Sequence, residues 1–466
     1  MSTTFHCPFC GAPITGPAPG VSFGCPYCRA KVMAPYEASG PQGAAQWDGG
    51  ASESIQQGPF TTDTDDLAVT VDAQLGPIAI GAYAPHGKPA VLRAWDMKAK
   101  KPLWEQLSGQ TWLETIRPRG MRVIGRNVYV ANKRQLLCLD LANGNRKWQA
   151  SLSDTPEGSD EDGLAIADPF PPNQRGAILV ATVDHQVFAF DRDSGQPLWN
   201  RPFKDSAELE AVPGLGAVVV RHNGSYVKAD IINPAFPQSV ASHGNQDWST
   251  DLGRCKVSGR TIVTCASSMG PENDEDGLFC FDAVTGQVHF FDRVEDLETD
   301  VVPCAIGPRV FAAVDSGRGL YVGPRGRPMP VPVPNHAVAA LLQAGPTLML
   351  LLKKAQGTAI RRIVGLDPNT LAFRFDAGEA GEEPTDDWDR QLATDGYSVV
   401  FVATPNDEME SAELRSVDTS TGRQLWRRPF PRYRHHRFVG GAVVVHGYDK
   451  IEVLAPQNGQ LIAQVP

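Results

Sequence analysis

From Phe60 to the end of the chain, apolar residues come in short runs of strand length. GAILVATV, GAVVVRH, RTIVTCAS, RVFAAVD, TLMLLLKK, SVVFVATP and AVVVHG are each bounded by glycine, proline, aspartate or asparagine. Runs of four to eight residues rich in β-branched side chains, punctuated in this way, predict strands rather than helices. The longest apolar run, Ala337 to Leu352, is broken by Gln343 and by Gly345-Pro346, so it falls short of a membrane span.

A register recurs along these runs. Asp96, Asp140, Asp191, Asp282, Asp367 and Asp418 are each followed eight positions later by an aromatic residue: Trp104, Trp148, Trp199, Phe290, Phe375 and Trp426. Gly144, Gly195, Gly286 and Gly422 lie midway in four of the six. The unit reads as a β-hairpin. The aspartate accepts hydrogen bonds from the turn amides, the glycine supplies a positive φ, and the aromatic residue opens the return strand. Weaker copies surround Asp230, Gly323 and the C-terminal VLAPQNGQLI. Two more strand-like runs precede each hairpin, so each unit predicts a four-stranded antiparallel sheet.

Residues 60–466 divided among nine such units give roughly 45 residues each, the size of one propeller blade. The expected fold is therefore all-β, a small N-terminal unit followed by a β-propeller. Propellers usually have four to eight blades. Eight are expected, with seven to nine allowed and one weak unit degenerate.

The N-terminal unit is read from its cysteines. Cys7 and Cys10 in CPFC, and Cys25 and Cys28 in CPYC, stand fourteen residues apart. Two C-x-x-C knuckles at this spacing supply four thiolates to one tetrahedral ion, one structural Zn²⁺ per chain, with no open position for catalysis. So short a segment cannot fold on its own core, and structural zinc contributes on the order of 10–16 kcal/mol in such units. Residues 5–33 resemble the zinc-ribbon family in CPFCGAPI and CPYCRAKV. The expected organisation is a zinc ribbon over 1–33, a flexible Gly/Ala/Ser/Pro-rich linker over 34–59, and the propeller over 60–466. Cys138, Cys255, Cys265, Cys280 and Cys304 sit in apolar runs and read as small buried hydrophobes.

Composition narrows the function. The chain has 466 residues, 45 of them glycine and 38 proline, and a formal net charge of −10. That balance argues against general nucleic-acid binding, and Arg29 and Lys31 are the sole cations in residues 1–36. MSTTFHCPFC has no basic region followed by an apolar one, so a cytoplasmic location is expected.

The Asp-x-x-x-Gly-x-x-x-Trp pattern resembles the pyrroloquinoline quinone-like (PQQ-like) propeller repeats, shared by quinoprotein dehydrogenases and by non-enzymatic scaffolds. The resemblance implies that Trp104, Trp148, Trp199 and Trp426, with Phe290 and Phe375 substituting, pack on the neighbouring blade. An exported quinoprotein enzyme of this kind would also carry a vicinal cysteine pair, which the sequence lacks. The expected function is an intracellular, non-enzymatic protein–protein interaction scaffold with no assigned catalytic residue. The alternative is a quinoprotein-like redox or hydrolytic enzyme with its site in the central funnel.

His435-His436 in RYRHHRF reads as a solvated basic turn. Strand order sets an acidic face, with Asp160, Glu161, Asp162, Glu295, Asp296, Asp386 and Asp387 among the acidic residues of its loops, against a face of turns bearing Lys98, Lys100, Lys101, Arg126, Arg146, Lys147, Arg175, Arg260, Arg309, Arg325 and Arg327. The expected protein partner is basic and docks on the acidic face. The DEDG tetrapeptides at Asp160 and Asp274 raise calcium as a minor possibility.

Overall fold

The computed structural model describes Phe60 and Leu67–Val465, apart from connecting segments of which 84–90, 108–120, 381–391 and 404–411 are the longest; of residues 1–59 it describes four short strands. Those four pair as two hairpins, Thr4–His6 with Pro13–Thr15 and Ser22–Gly24 with Lys31–Met33. Each hairpin brackets one C-x-x-C, at 7–10 and 25–28, and the cysteines and the linker lie outside the described residues.

Apart from a short hairpin, Gly158–Ser159 with Gly163–Leu164, the other described strands form a β-propeller of nine antiparallel sheets with their strands in chain order, save that in the fifth Thr250–Leu252 and Lys256–Ser258 both pair with Thr261–Met269. Blade 1 spans Ala68–Leu107, blade 2 Met121–Ser151, blade 3 Ile166–Pro202, blade 4 Ala207–His243 and blade 5 Thr250–Arg293. Blade 6 spans Cys304–Pro330, blade 7 His336–Ala380, blade 8 Leu392–Pro429 and blade 9 Tyr433–Val465. First strands of successive blades adjoin, as Ala68–Asp72 does with Met121–Ile124 and Leu392–Thr394 with Tyr433–Val439.

The core is not inside any blade. It is divided into nine apolar clusters, and each bridges one pair of neighbours. One of them joins Val69, Val71 and Met97 of blade 1 to Val444, Val453 and Val465 of blade 9, which closes the ring. Strands buried on both faces explain why the runs are nearly continuous in apolar residues instead of alternating strictly.

The expected eight blades become nine because all three weak units build complete sheets. Blades 4, 6 and 9 have lost the Asp-to-aromatic register but kept the apolar runs that fill their seams. Burial between blades, not the turn motif, decides whether a blade forms. The run Ala337–Leu352 is two strands of blade 7, His336–Ala344 and Thr347–Lys354. No helix among the described residues is long and apolar enough to cross a membrane.

Candidate interaction surface

The repeat motif works across the seams. In each of four blades the tryptophan ring N–H donates to a backbone carbonyl of the next blade: Trp104 to Leu141, Trp148 to Arg192 and Trp199 to Pro234, each at 2.8 Å, and Trp426 to Pro456 at 2.6 Å. The rings of Trp104, Trp148 and Trp426 also lie on the next blade's turn glycine, whereas the corresponding turn of blade 4, beside Trp199, contains no glycine. A methyl group built on Gly195 would stand 2.5 Å from the Trp148 ring, and one on Gly144 2.6 Å from Trp104. Gly195 also has φ +68°. The glycine therefore satisfies its own turn and leaves room for the neighbour's ring.

Lys100 and Leu371 hold the equivalent turn position in blades 1 and 7 at φ 52° and 57°. The fourth strands of the blades before them, Leu461–Val465 and Met329–Pro330, carry no aromatic residue. Without a ring to accommodate, only the backbone preference favours glycine there.

The motif aspartates behave as expected. Asp282 Oδ1 accepts from Val284 N at 2.9 Å and Thr285 N at 2.7 Å, and its other oxygen pairs with Arg260. Burial alone would raise its pKa, but the Arg260 guanidinium and the turn amides outweigh burial and hold it well below the usual carboxylate value. Asp140 and Asp418 are lowered too: burial would raise both, but the Ala142 amide and Lys147 outweigh it at Asp140, and the hydroxyls and amides of Ser420 and Thr421 do so at Asp418. A depressed folded-state pKa contributes stability above the unfolded value, about 4, that is lost as pH falls through the folded value. Unfolding midpoints should therefore fall between about pH 5 and pH 2. Asp282→Asn, which keeps the turn acceptor and removes the charge, should flatten that fall; an unchanged slope would show that Asp282 is not linked to it.

Two residues beyond the motif aromatic lies a second tie, which the sequence reading did not find. Arg201 in blade 3 reaches the buried Asp230 of blade 4 at 2.9 Å. Arg428 in blade 8 reaches Glu452 of blade 9 at 2.8 Å, and Lys450 holds the other oxygen of Glu452 at 2.7 Å. Asp292 in blade 5 accepts from the Tyr321 hydroxyl of blade 6 at 2.8 Å. Within blade 3, the buried Arg192 bonds Asp168 at 3.2 Å and the carbonyls of Phe170 and Gln174. Burial raises the Asp168 carboxyl above its ordinary pKa, with Arg192 opposing the shift.

His435 and His436 are not a solvated turn. Both lie in the strand Tyr433–Val439. His436 is buried at the seam with blade 8, where its Nε2 meets Val400 O at 2.9 Å and its Nδ1 meets the Tyr433 hydroxyl at 2.6 Å. Burial pushes its pKa down to about 4, so it is neutral and donates to the carbonyl. His435 stacks on His446 with ring centroids 4.3 Å apart. Cys138, Cys265, Cys280 and Cys304 are buried free thiols as expected, and burial pushes Cys138 up to about 12 and Cys280 up to about 11. Cys255 lies outside the described residues.

The faces of the disc divide as strand order requires. Turns between first and second strands adjoin those between third and fourth, through Leu141 N to Arg126 O and Ala283 N to Arg260 O. The opposite loops adjoin one another through Leu152 N to Arg134 O and Phe430 N to Ala412 O. The face expected to be cationic is mixed, however, because the motif aspartates sit on it. Lys147, Arg260 and Arg374 pair there with Asp140, Asp282 and Asp367, and Arg309 is spent on the Pro368 and Asn369 carbonyls of blade 7. Of the acidic loops, Glu295 and Asp296 are exposed, whereas 160–162 and 381–391 lie outside the described residues. Asp274–Asp282 is a strand paired with Thr261–Met269, so the acidic run at Asp274 is not the loop a calcium site takes.

The family model described as PQQ_2: Outer membrane protein assembly factor BamB matches residues 36–236. Among curated proteins none matches the chain. BamB from Moraxella catarrhalis is similar in fold at 14% identity over 74% of this chain and 84% of that one, with a TM-score of 0.39. Apo AztD from Citrobacter koseri is similar at 13% identity over 73% and 94%, with a TM-score of 0.42. Quinohemoprotein alcohol dehydrogenase from Comamonas testosteroni is similar at 12% identity over 87% and 77%, with a TM-score of 0.40. Likeness at this level carries no function over to this chain.

Proposed function

We propose that this nine-bladed PQQ-like propeller is a cytoplasmic, non-enzymatic platform that binds a protein partner and carries a tethered structural zinc ribbon. The observation that supports it most is how the buried ionisable groups are used. Asp191, Asp282 and Asp418 cap their turns, Asp230 and Glu452 tie neighbouring blades, and His436 bridges to Val400 O. These six groups are engaged in holding the ring together and are not poised for acid–base work.

Affinity purification from the native host, followed by reconstitution from purified components, tests this reading. A stoichiometric protein complex is expected; a chain that purifies alone and turns over a small molecule would overturn it.

The ribbon is part of the proposal. Each described hairpin brackets one knuckle, so Cys7, Cys10, Cys25 and Cys28 would hold Zn²⁺ as a thiolate set with no open position. Elemental analysis of protein purified under reducing conditions should find one zinc per chain. Cys7→Ser should release it and leave the propeller's thermal transition in place. Iron, or no metal, would contradict the assignment.

A further inference from the structure

Blade 6 ends differently from the others. Its fourth strand is Met329–Pro330, two residues where the other blades have five to eight. Around it, Pro328, Pro330, Pro332 and Pro334 alternate with Met329, Val331 and Val333.

The parity of the prolines decides what this edge offers. Val331 N donates to Arg318 O at 3.0 Å, and Leu320 stands opposite Met329 in the ladder. The odd positions therefore turn their backbone groups toward blade 6, and the even positions, all proline, turn outward. An outward edge of prolines has carbonyl acceptors and no N–H donor. It cannot complete a ladder with an added strand, which needs both.

The segment is exposed and held in place. Pro328, Met329, Pro330, Pro332 and Pro334 are exposed, while Val331 is buried in the seam with blade 7. Arg325 N donates to Asp292 Oδ2 of blade 5 at 2.7 Å, and His336 Nδ1 meets Pro334 O at 2.9 Å, which fixes both ends. Arg325 and Arg327 are exposed, and among the described residues their guanidinium groups have no carboxylate partner.

We infer that Arg325–Pro334 is a docking segment for a protein that reads it through a groove lined with aromatic side chains and edged with carboxylates. Aromatic faces take the pyrrolidine rings and Met329, their N–H or O–H groups donate to the outward carbonyls, and the carboxylates take Arg325 and Arg327. Proline and the two pinned ends leave little conformational entropy to lose on binding. This deepens the platform reading and rests on it for the partner being a protein. The competing explanation is that the prolines serve only to keep the edge from pairing.

The test titrates the full chain against a panel of purified proline-reading domains of the SH3, WW and EVH1 types. At least one should bind with a Kd on the order of 10–100 μM. Arg327→Glu should weaken that binding about tenfold, and Pro330→Ala with Pro332→Ala should remove it, with the thermal midpoint unchanged in both. The inference is overturned if no domain binds at about 1 mM, or if binding ignores these substitutions. It is also overturned if Pro330→Ala makes the chain self-associate while the wild type binds none of the panel, since the prolines are then edge protection alone. None of these failures bears on whether the native host supplies a partner for another surface, so the platform reading is tested separately.

Discussion

Trp148→Ala is expected to lower the unfolding free energy by about 3–5 kcal/mol, the range for deleting a large buried aromatic side chain. The ring fills the seam between blades 2 and 3, near Tyr129 and Phe190, and is 6% exposed. Its loss leaves a cavity above Gly195 and strips the Arg192 carbonyl of its donor. Gly195→Ala should be destabilising from the other side of the contact, because the new methyl meets the ring at 2.5 Å on a backbone with φ +68°. Once Trp148 is gone the clash is gone, and only the backbone cost of roughly 1–2 kcal/mol remains. The double variant should therefore cost clearly less than the sum of the singles in denaturant titrations. Strict additivity would show that ring and glycine do not act as a pair.

The second large effect belongs to the seam between blades 8 and 9. Arg428→Met together with Lys450→Met should cost roughly 3–5 kcal/mol, because both cations leave a carboxylate in place in a site with little water. Glu452 is 2% exposed, whereas the cation side chains are 30% and 23% exposed. The reverse change, Glu452→Gln, should cost less, since the cations it abandons can be solvated. Equal costs, measured by the same titration, would contradict this asymmetry.

Much of the propeller was legible because its hairpin motif is local. The spacing from Asp140 to Trp148 can be read within one repeat, and so can the positive φ of Gly144. What the sequence did not disclose joins one repeat to the next. The glycine's service to the preceding blade's ring, and the pairing of Arg428 with Glu452, need the blades set side by side. The count came out at nine, the upper end of the seven to nine allowed, for a related reason: Ala241 and Ala463 stand in the fourth strands of blades 4 and 9, where the motif places an aromatic. The apolar runs that fill those seams do not depend on it. His436 was misread because RYRHHRF is polar in composition, while its burial is set by Val400, thirty-six residues earlier. Charge counting misjudged one face because the turn aspartates were tallied as structure and not as charge.

We propose that the platform recruits a basic protein partner through its acidic loops. The most direct measurement is the association rate of the reconstituted complex at two ionic strengths. It is made for the wild type, for an acidic-loop reversal (Asp160, Glu161, Asp162, Asp386 and Asp387 to Lys), and for Arg175→Glu with Arg309→Glu. The wild-type rate should fall with added salt, the acidic reversal should slow association and remove most of that salt dependence, and the arginine pair should do much less. Equal effects from the two sets of substitutions, or none from the acidic set, would contradict the claim.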